Sequence, residues 1–472
     1  MHFIIGISNN NYHKTTLFIE NKKVKLFCQK SLMREIDIKN FRCYGSKRME
    51  FRSGVNLLIG DNAVGKTSLL RACNLVINSF FSGYSDENTT WRSAENNDFR
   101  ITSVAEQPVE IAFRLGEWDL FPLEIPSANV HIIPTLNDIY KIEKKSKKNS
   151  RNLVSGLNSL KIYASNLQKY SHVLVDGKVK QNHVLPVYGF FSTEDIHSIR
   201  KIDKEKFKNL TPKPSFGYYE SYDCKGLMDC WIKRLLVLKE AKKGEEEIIT
   251  VNNAIIEALG PQGCNIIDDM EIRHNDGKVY FHFTDEREIE SGMLSDGYRR
   301  LVNIVMDIAI RCALLNKTMF GNKCYKETHG TVIIDEIDEH LHPSIQVRIL
   351  KALQKAFPKI QFIVSTHSPL VISSVESHPY NVVYKLGYDD KTREYTHHEL
   401  NVYGMDASTI IETYMGQEAR DIDVSNNIKE VQSLIDKQKL PEAKAALMVL
   451  GQKMAQGDPE LAKMETLISF LE

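Results

Sequence analysis

The stretch VIIDEIDEHLHPSIQVRIL, residues 332–350, places four carboxylates (Asp335, Glu336, Asp338, Glu339) and two imidazoles (His340, His342) within eight residues. Acids and histidines at this density could ligate a metal in a nuclease or hydrolase site. They could also be the acidic end of a buried strand in a nucleotide-binding motor. A structural zinc site favours cysteine and histidine at looped spacing. None of the eight cysteines (28, 43, 73, 224, 230, 264, 312 and 324) forms a CxxC pair. Along a strand alternate residues point to opposite sides, so only some of the six could converge on one ion.

A second stretch favours the motor. GDNAVGKTS, Gly60 to Ser68, fits the pattern G-x-x-x-x-G-K-[ST] after an apolar strand and at the opening of a helix. In that context the loop amides from Gly60 through Asn62 to Gly65 and Ser68, with the helix N-terminus, cradle the phosphates of ATP. Lys66 reaches the outer phosphates and the Thr67 hydroxyl binds Mg²⁺. TVIID then supplies Asp335 as the second Mg²⁺ holder and Glu336 as the general base that polarises the attacking water.

MLSDGYRR, Met293 to Arg300, resembles the signature of the ABC-type ATPases, with Leu294, Ser295, Asp296, Gly297 and Tyr298 standing at LSGGQ. The resemblance implies that Ser295 and the Gly297 amide complement the γ-phosphate held by a partner subunit. Read without it, Ser295 and Asp296 are good helix caps. Asp296 replaces a glycine, and an acid beside phosphate is expected to turn its side chain away. In FIVSTHSP, His367 resembles the switch histidine that contacts the γ-phosphate. Asn40-Phe41-Arg42 resembles the NFR element of the RecF/SMC branch, which brings Arg42 to the phosphates. The template puts His340 and His342, with Asp338 and Glu339, at a subunit contact, and Pro343 at the start of the next helix. Gln107 is the candidate glutamine of the Q-loop.

These residues need a frame to hold them. EIDIKNF, KRMEF, GVNLLIG, FRIT and PVEIAFRL read as strands, and GKTSLLRACNLVINSFF carries apolar residues at helical spacing. From Ser291 onward a long apolar helix, the buried strand TVIID, a helix and the buried strand FIVST follow each other. Continuous apolar strands alternating with helices argue for a mostly parallel sheet covered on both faces. The fold class is therefore α/β, an ABC-type head with a mostly parallel central sheet flanked by helices. Residues 33–117 and 291–400 form its two parts. Residues 118–290 read as an inserted α+β and helical lobe that holds HVLVDG, LPVYGFF and the lysine-rich KIEKKSKKNSR. Residues 401–472 read as a helical tail that binds a partner, with Leu461, Met464, Ile468 and Leu471 on one stripe. Met33 reads as the natural start, which makes residues 1–32 a peripheral or non-native extension.

Composition bounds the rest. The 472 residues suffice for two or three subdomains. Lys+Arg and Asp+Glu both total 61, so no global charge excess points to nucleic acid or a membrane. No apolar run is long enough to span a bilayer. Cysteines without a pairing rhythm read as reduced thiols of a cytoplasmic protein.

From Met33 to about Lys385 the chain resembles the ABC/SMC-like, RecF/OLD-type ATPases. Two ATP molecules are sandwiched there between two heads, so a chain with one phosphate loop and one signature would pair with itself. LPVYGFF, FGYYESYDCKGLMDCWIKRL, IDEHLHP and YGMDASTIIETYMG further resemble the Septu-type (PtuA) antiphage ATPase family, including its retron-associated relatives. That resemblance implies regulation or scaffolding of a separately encoded HNH nuclease, with DNA or retron msDNA as a possible ligand. FFSTED departs from it, standing where relatives tend to carry an arginine. One rival is a RecF/SMC-like repair or maintenance ATPase, which needs coiled-coil arms or a basic DNA face. The other is an OLD-type nuclease, whose Toprim acids have no counterpart beyond Asp421 and Asp423, two acids that precede a helix.

Overall fold

Three strands, Val55–Ile59, Gly330–Ile334 and Ile360–Ser365, are buried along their whole length. Such runs can only lie in a sheet covered on both faces. The computed structural model describes residues 33–100, 107–116, 139–148, 155–175, 178–193, 202–376, 379–455 and 457–471. Residues 1–32, and the last two residues of FRIT, lie outside them.

In chain order the strands are β1 (Met33–Phe41), β2 (Tyr44–Glu50), β3 (Val55–Ile59), β4 (Val109–Leu115), β5 (Tyr140–Lys144), β6 (His172–Val175), β7 (Lys178–Gln181) and β8 (Val187–Phe191). They continue with β9 (Ile267–Arg273), β10 (Lys278–Phe283), β11 (Glu288–Glu290), β12 (Gly330–Ile334), β13 (Ile360–Ser365), β14 (Val382–Asp389) and β15 (Glu394–Leu400). The central sheet runs β15-β14-β3-β13-β12-β8. Its strands from β14 to β8 pair in parallel, and β15 closes one edge antiparallel. A second, antiparallel sheet runs β2-β1-β4-β5. The helix Lys66–Asn78 packs against strands of both sheets and buries Leu69, Leu70, Cys73 and Val76.

Two segments expected in the inserted lobe belong elsewhere. LPVYGFF forms β8, the edge of the central sheet beside β12. The start of the lysine-rich run forms β5, which pairs with β4. A buried parallel strand carries no alternation that would reveal its partner, because pairing over so long a separation leaves no mark in local pattern. HVLV, the described part of HVLVDG, does form a small separate ribbon, β6 with β7. The tail is helical as expected. Helices Ile422–Asp436, Leu440–Lys453 and Pro459–Leu471 share a small core of their own that includes Val431, Leu447, Leu461, Met464 and Ile468. Leu471, assigned to that stripe, lies in the final turn and is 46% exposed. No helix among the described residues is long and apolar enough to cross a membrane.

Candidate functional site

The C-terminal ends of three adjacent strands, β3, β13 and β12, carry the three motifs. Ligands of open α/β sheets bind at this edge. β3 leads into the loop Gly60–Gly65, whose backbone turns through positive φ at Gly60 (144°), Ala63 (66°) and Gly65 (95°). Both glycines are required by space as well as by φ. A Cβ on Gly60 would lie 2.4 Å from the Leu386 carbonyl, and one on Gly65 would lie 2.5 Å from the Tyr44 hydroxyl. Tyr44 donates that hydroxyl to the Gly65 carbonyl at 2.9 Å, clamping the loop to the antiparallel sheet. Lys66 folds back, its Nζ donating to the carbonyls of Gly60 (2.6 Å) and Asp61 (2.9 Å). Burial pushes its pKa down, while the carboxylates of Glu336, Asp335, Asp61 and Asp338 oppose that shift. Asn62 and Thr67 are exposed on the loop and the first helical turn.

β12 ends at Ile334 and delivers Asp335, 3% exposed, whose amide donates to the Phe191 carbonyl at 2.8 Å. Ser365, at the end of the neighbouring β13, holds both acids. Its hydroxyl donates to Asp335 Oδ1 and accepts from the Glu336 amide at 2.8 Å. Glu336 sits at a φ of 48°, a left-handed conformation uncommon for a non-glycine residue and typical of functional sites. Burial first, then the Asp335 charge, holds its carboxyl above the ordinary range, and His367 works against them. His367 therefore shares the electrostatic field of Glu336. Its backbone amide donates to Asp338 Oδ1 at 3.3 Å, and Asp338 also accepts from the Thr366 hydroxyl.

Asp338 and Glu339, expected at a subunit contact, thus have work inside the chain. Asp338 braces the switch loop, and Glu339 accepts from Arg300 Nη1 at 2.7 Å. His340 and His342 remain exposed, and His342 caps the helix Pro343–Gln346 through Nδ1. Among the described residues the six acids and histidines do not gather as metal ligands. The group that does is Glu271, His282 and Glu288 on the sheet β9-β10-β11, where Arg273 bridges both carboxylates at 2.5 and 2.6 Å.

Ser295 occupies the N-cap position of the helix Asp296–Phe320, yet its hydroxyl makes no capping bond. Ser295 and Asp296 are exposed and Gly297 is buried. A Cβ on Gly297 would lie 2.3 Å from the His340 carbonyl, so the signature turn is docked on its own chain's acidic loop. Arg300, 2% exposed, completes the link by donating through Nη2 to the carbonyls of Asp335 (2.6 Å) and Glu336 (3.1 Å). Sequence reasoning missed Arg300 and Ser365, and it did not foresee the bonds of Asp338 within its own chain. The signal for Ser365 was a lone hydroxyl closing an apolar strand.

Arg42 sits in a tight turn at a φ of 49°, and its Nε donates to Asp98 at 3.0 Å. Arg71 donates to the same carboxylate at 2.6 and 3.2 Å. Burial works to raise the Asp98 pKa, but these arginine bonds leave it below its ordinary value. Arg42 lines an open pocket of about 560 Å³ that reaches Ser68 on the first turn of the phosphate-loop helix. Gln107, exposed just ahead of β4, makes no contact recorded among the described site residues.

The donor set suits magnesium nucleotide. Backbone amides at a helix start and Lys66 suit phosphate oxygens, while the Thr67 hydroxyl and the Asp335 carboxylate are the hard oxygen ligands Mg²⁺ prefers. Comparison with known proteins agrees with that chemistry. The family model for the AAA ATPase domain matches residues 33–372. The chain is 37% identical to the "Retron Vc95 probable ATPase" of Vibrio cholerae serotype O1 biovar El Tor, over 31% of this chain and 28% of that protein. It is 23% identical to the "Retron Ec83 probable ATPase" of Escherichia coli, over 73% of this chain and 70% of that protein. It is 42% identical to the Septu protein PtuA of Bacillus mycoides, over 20% of this chain and 12% of that protein. The matched region thus spans about a quarter of the Vibrio relative and an eighth of the Bacillus one.

Proposed function

The chain belongs to the AAA ATPase-domain family, and on that premise we propose that it binds and hydrolyses ATP between two copies of itself and so regulates or scaffolds an HNH nuclease in antiphage defence. The observation that carries the ATPase reading is the convergence of Lys66, Asp335, Glu336 and His367 at the ends of three neighbouring strands. The loop amides and Lys66 bind the outer phosphates. Thr67 and Asp335 would hold Mg²⁺, which when bound neutralises phosphate charge and draws electrons from the bond to be broken. Glu336, its carboxyl held above the usual range, takes a proton from the attacking water. His367 stays within the field of that carboxyl through the bond from its amide to Asp338.

Self-pairing is supported by Ser295, whose uncapped hydroxyl is exposed while the rest of the signature turn docks inward. The defence role is supported by the named Septu and retron relatives. A repair ATPase that tracks DNA on a basic face finds less support. Lys141 is spent on Glu110 and Glu143, and Lys144 is buried with its Nζ on the Ala94 carbonyl at 2.7 Å.

Tagged full-length chain recovered from its native host, with bound protein and nucleic acid identified, tests the reading. An HNH nuclease that co-purifies is expected, together with an ATP-dependent dimer by light scattering. A dimer that persists unchanged in Ser295→Arg would remove the signature from the interface. Recovery without any nuclease would remove the proposed partner.

A further inference from the structure

The small sheet that leads into the signature turn carries a side-chain cluster for which ATP hydrolysis has no use. β9 and β10 pair with Glu271 opposite Tyr280, and β10 and β11 pair with His282 opposite Glu288. Because side chains alternate along a strand, Glu271, Arg273, Tyr280, His282 and Glu288 share one face. The other face buries Met270, Ile272, Val279 and Phe281. One ligand atom from each of Glu271, His282 and Glu288 lies within 4.8 Å of the other two. The imidazole stands between the acids, its Nε2 3.2 Å from Glu271 and its Nδ1 3.7 Å from Glu288. Arg273 donates to Glu271 at 2.5 Å and to Glu288 at 2.6 Å, so a cation already sits between the carboxylates. The same guanidinium lies 4.2 Å from the centre of the Tyr280 ring.

We propose that Glu271, His282 and Glu288 form a zinc site in which the metal takes the place of the Arg273 guanidinium. One imidazole nitrogen and two carboxylate oxygens, with water in the fourth position, make a ligand set that zinc accepts. Magnesium, which a nucleotide would bring, takes oxygen ligands and suits this set poorly. Two ligands of one zinc ion are at most about 4 Å apart. Rotation about the side-chain bonds of three partly exposed residues closes the difference. Displacing Arg273 costs little, because solvent-exposed ion pairs are weak and the guanidinium keeps its seat over Tyr280. β11 runs directly into the turn Ser291–Met293 and then the exposed Ser295. β10 packs on the signature helix through Phe283, whose ring centroid is 5.2 Å from that of Tyr298. Zinc bound across the three strands therefore anchors β11 at the segment that presents the signature.

The test titrates zinc chloride into the full-length chain, treated with chelator and free of nucleotide, and reads binding by calorimetry. The substituted side chains are partly exposed, and melting curves check that the variants remain folded. A single zinc ion is expected at this site. His282→Ala and Glu288→Gln should each weaken it more than about tenfold, since even residues behind a metal ligand cost that much. Arg273→Gln should bind zinc more tightly than the parent, because it removes the competing cation and no ligand. Hydrogen exchange across residues 288–295 should slow when zinc is added to the parent and stay unchanged in His282→Ala. No zinc binding by the parent, or binding that His282→Ala and Glu288→Gln leave intact, would overturn the site and leave an ion-pair ladder around Arg273. Exchange that zinc does not slow in the parent would overturn the anchoring of β11.

Discussion

Arg300 and Glu336 are 36 residues apart in the chain, yet Arg300 Nη2 donates to the Glu336 carbonyl at 3.1 Å and to the Asp335 carbonyl at 2.6 Å. One guanidinium on the signature helix therefore holds the backbone of both acids proposed for catalysis. It also holds Glu336 in a left-handed conformation that costs of order 1 kcal/mol or more to maintain. The signature helix and the proposed general base are thus joined by direct hydrogen bonds.

Replacing Arg300 with Gln should therefore misplace Glu336 without touching the phosphate loop. Steady-state hydrolysis is expected to fall about a hundredfold, since a displacement near 1 Å at a reacting group costs on that order. ATP affinity should change little. A parallel loss of binding and turnover would show that Arg300 supports the fold and not the geometry of the acids.

Ser365 offers a second handle on the same acids. Ser365→Ala removes the donor to Asp335 and leaves the Glu336 amide without its side-chain acceptor. An unsatisfied buried polar group costs about 1–3 kcal/mol. Denaturant unfolding should show a loss of that size, accompanied by lower hydrolysis. Stability equal to the parent would mean that water or a shifted neighbour takes over the bond.

The phosphate loop and the acidic strand were legible because each is contiguous, so that a few residues carry both the conformation and the chemistry. The place of His367 just after a buried strand was legible for the same reason, from FIVSTHSP. The bonds that position them were not. Arg300 to Asp335, Ser365 to Asp335 and Thr366 to Asp338 span 35, 30 and 28 residues, and such pairings follow from sheet order. The same blindness placed LPVYGFF in a lobe when it is a strand beside β12. The template puts Asp338 at a subunit contact, and a short motif could not show that its carboxylate also turns back to the loop after β13.

A separate prediction concerns Lys47, a residue of β2 that is 4% exposed and reaches β15. Its Nζ contacts the Tyr395 carbonyl and His397 Nδ1, each at 3.0 Å, and no recorded ion pair among the described residues supplies it with a carboxylate. Burial lowers its pKa to about 8, with the nearby Cys43 opposing the shift. The unfolded chain thus binds more protons than the folded one between about pH 8 and the ordinary lysine value, and stability from this group rises with pH across that window. Between pH 7 and pH 10 the parent should gain about 2 kcal/mol relative to Lys47→Met, measured by denaturant unfolding at each pH. A difference that stays flat with pH would place the ammonium in a better solvated setting than its burial implies.

ATP turnover and ATP binding, measured together on the full-length chain and on Glu336→Gln, test the central claim most directly. Glu336→Gln keeps the side-chain volume and removes only the proton acceptor. The expected result is ATP affinity near that of the parent, hydrolysis reduced at least a hundredfold, and accumulation of an ATP-bound dimer. Hydrolysis at the parental rate in Glu336→Gln would contradict the assignment of Glu336 as the base at the end of β12.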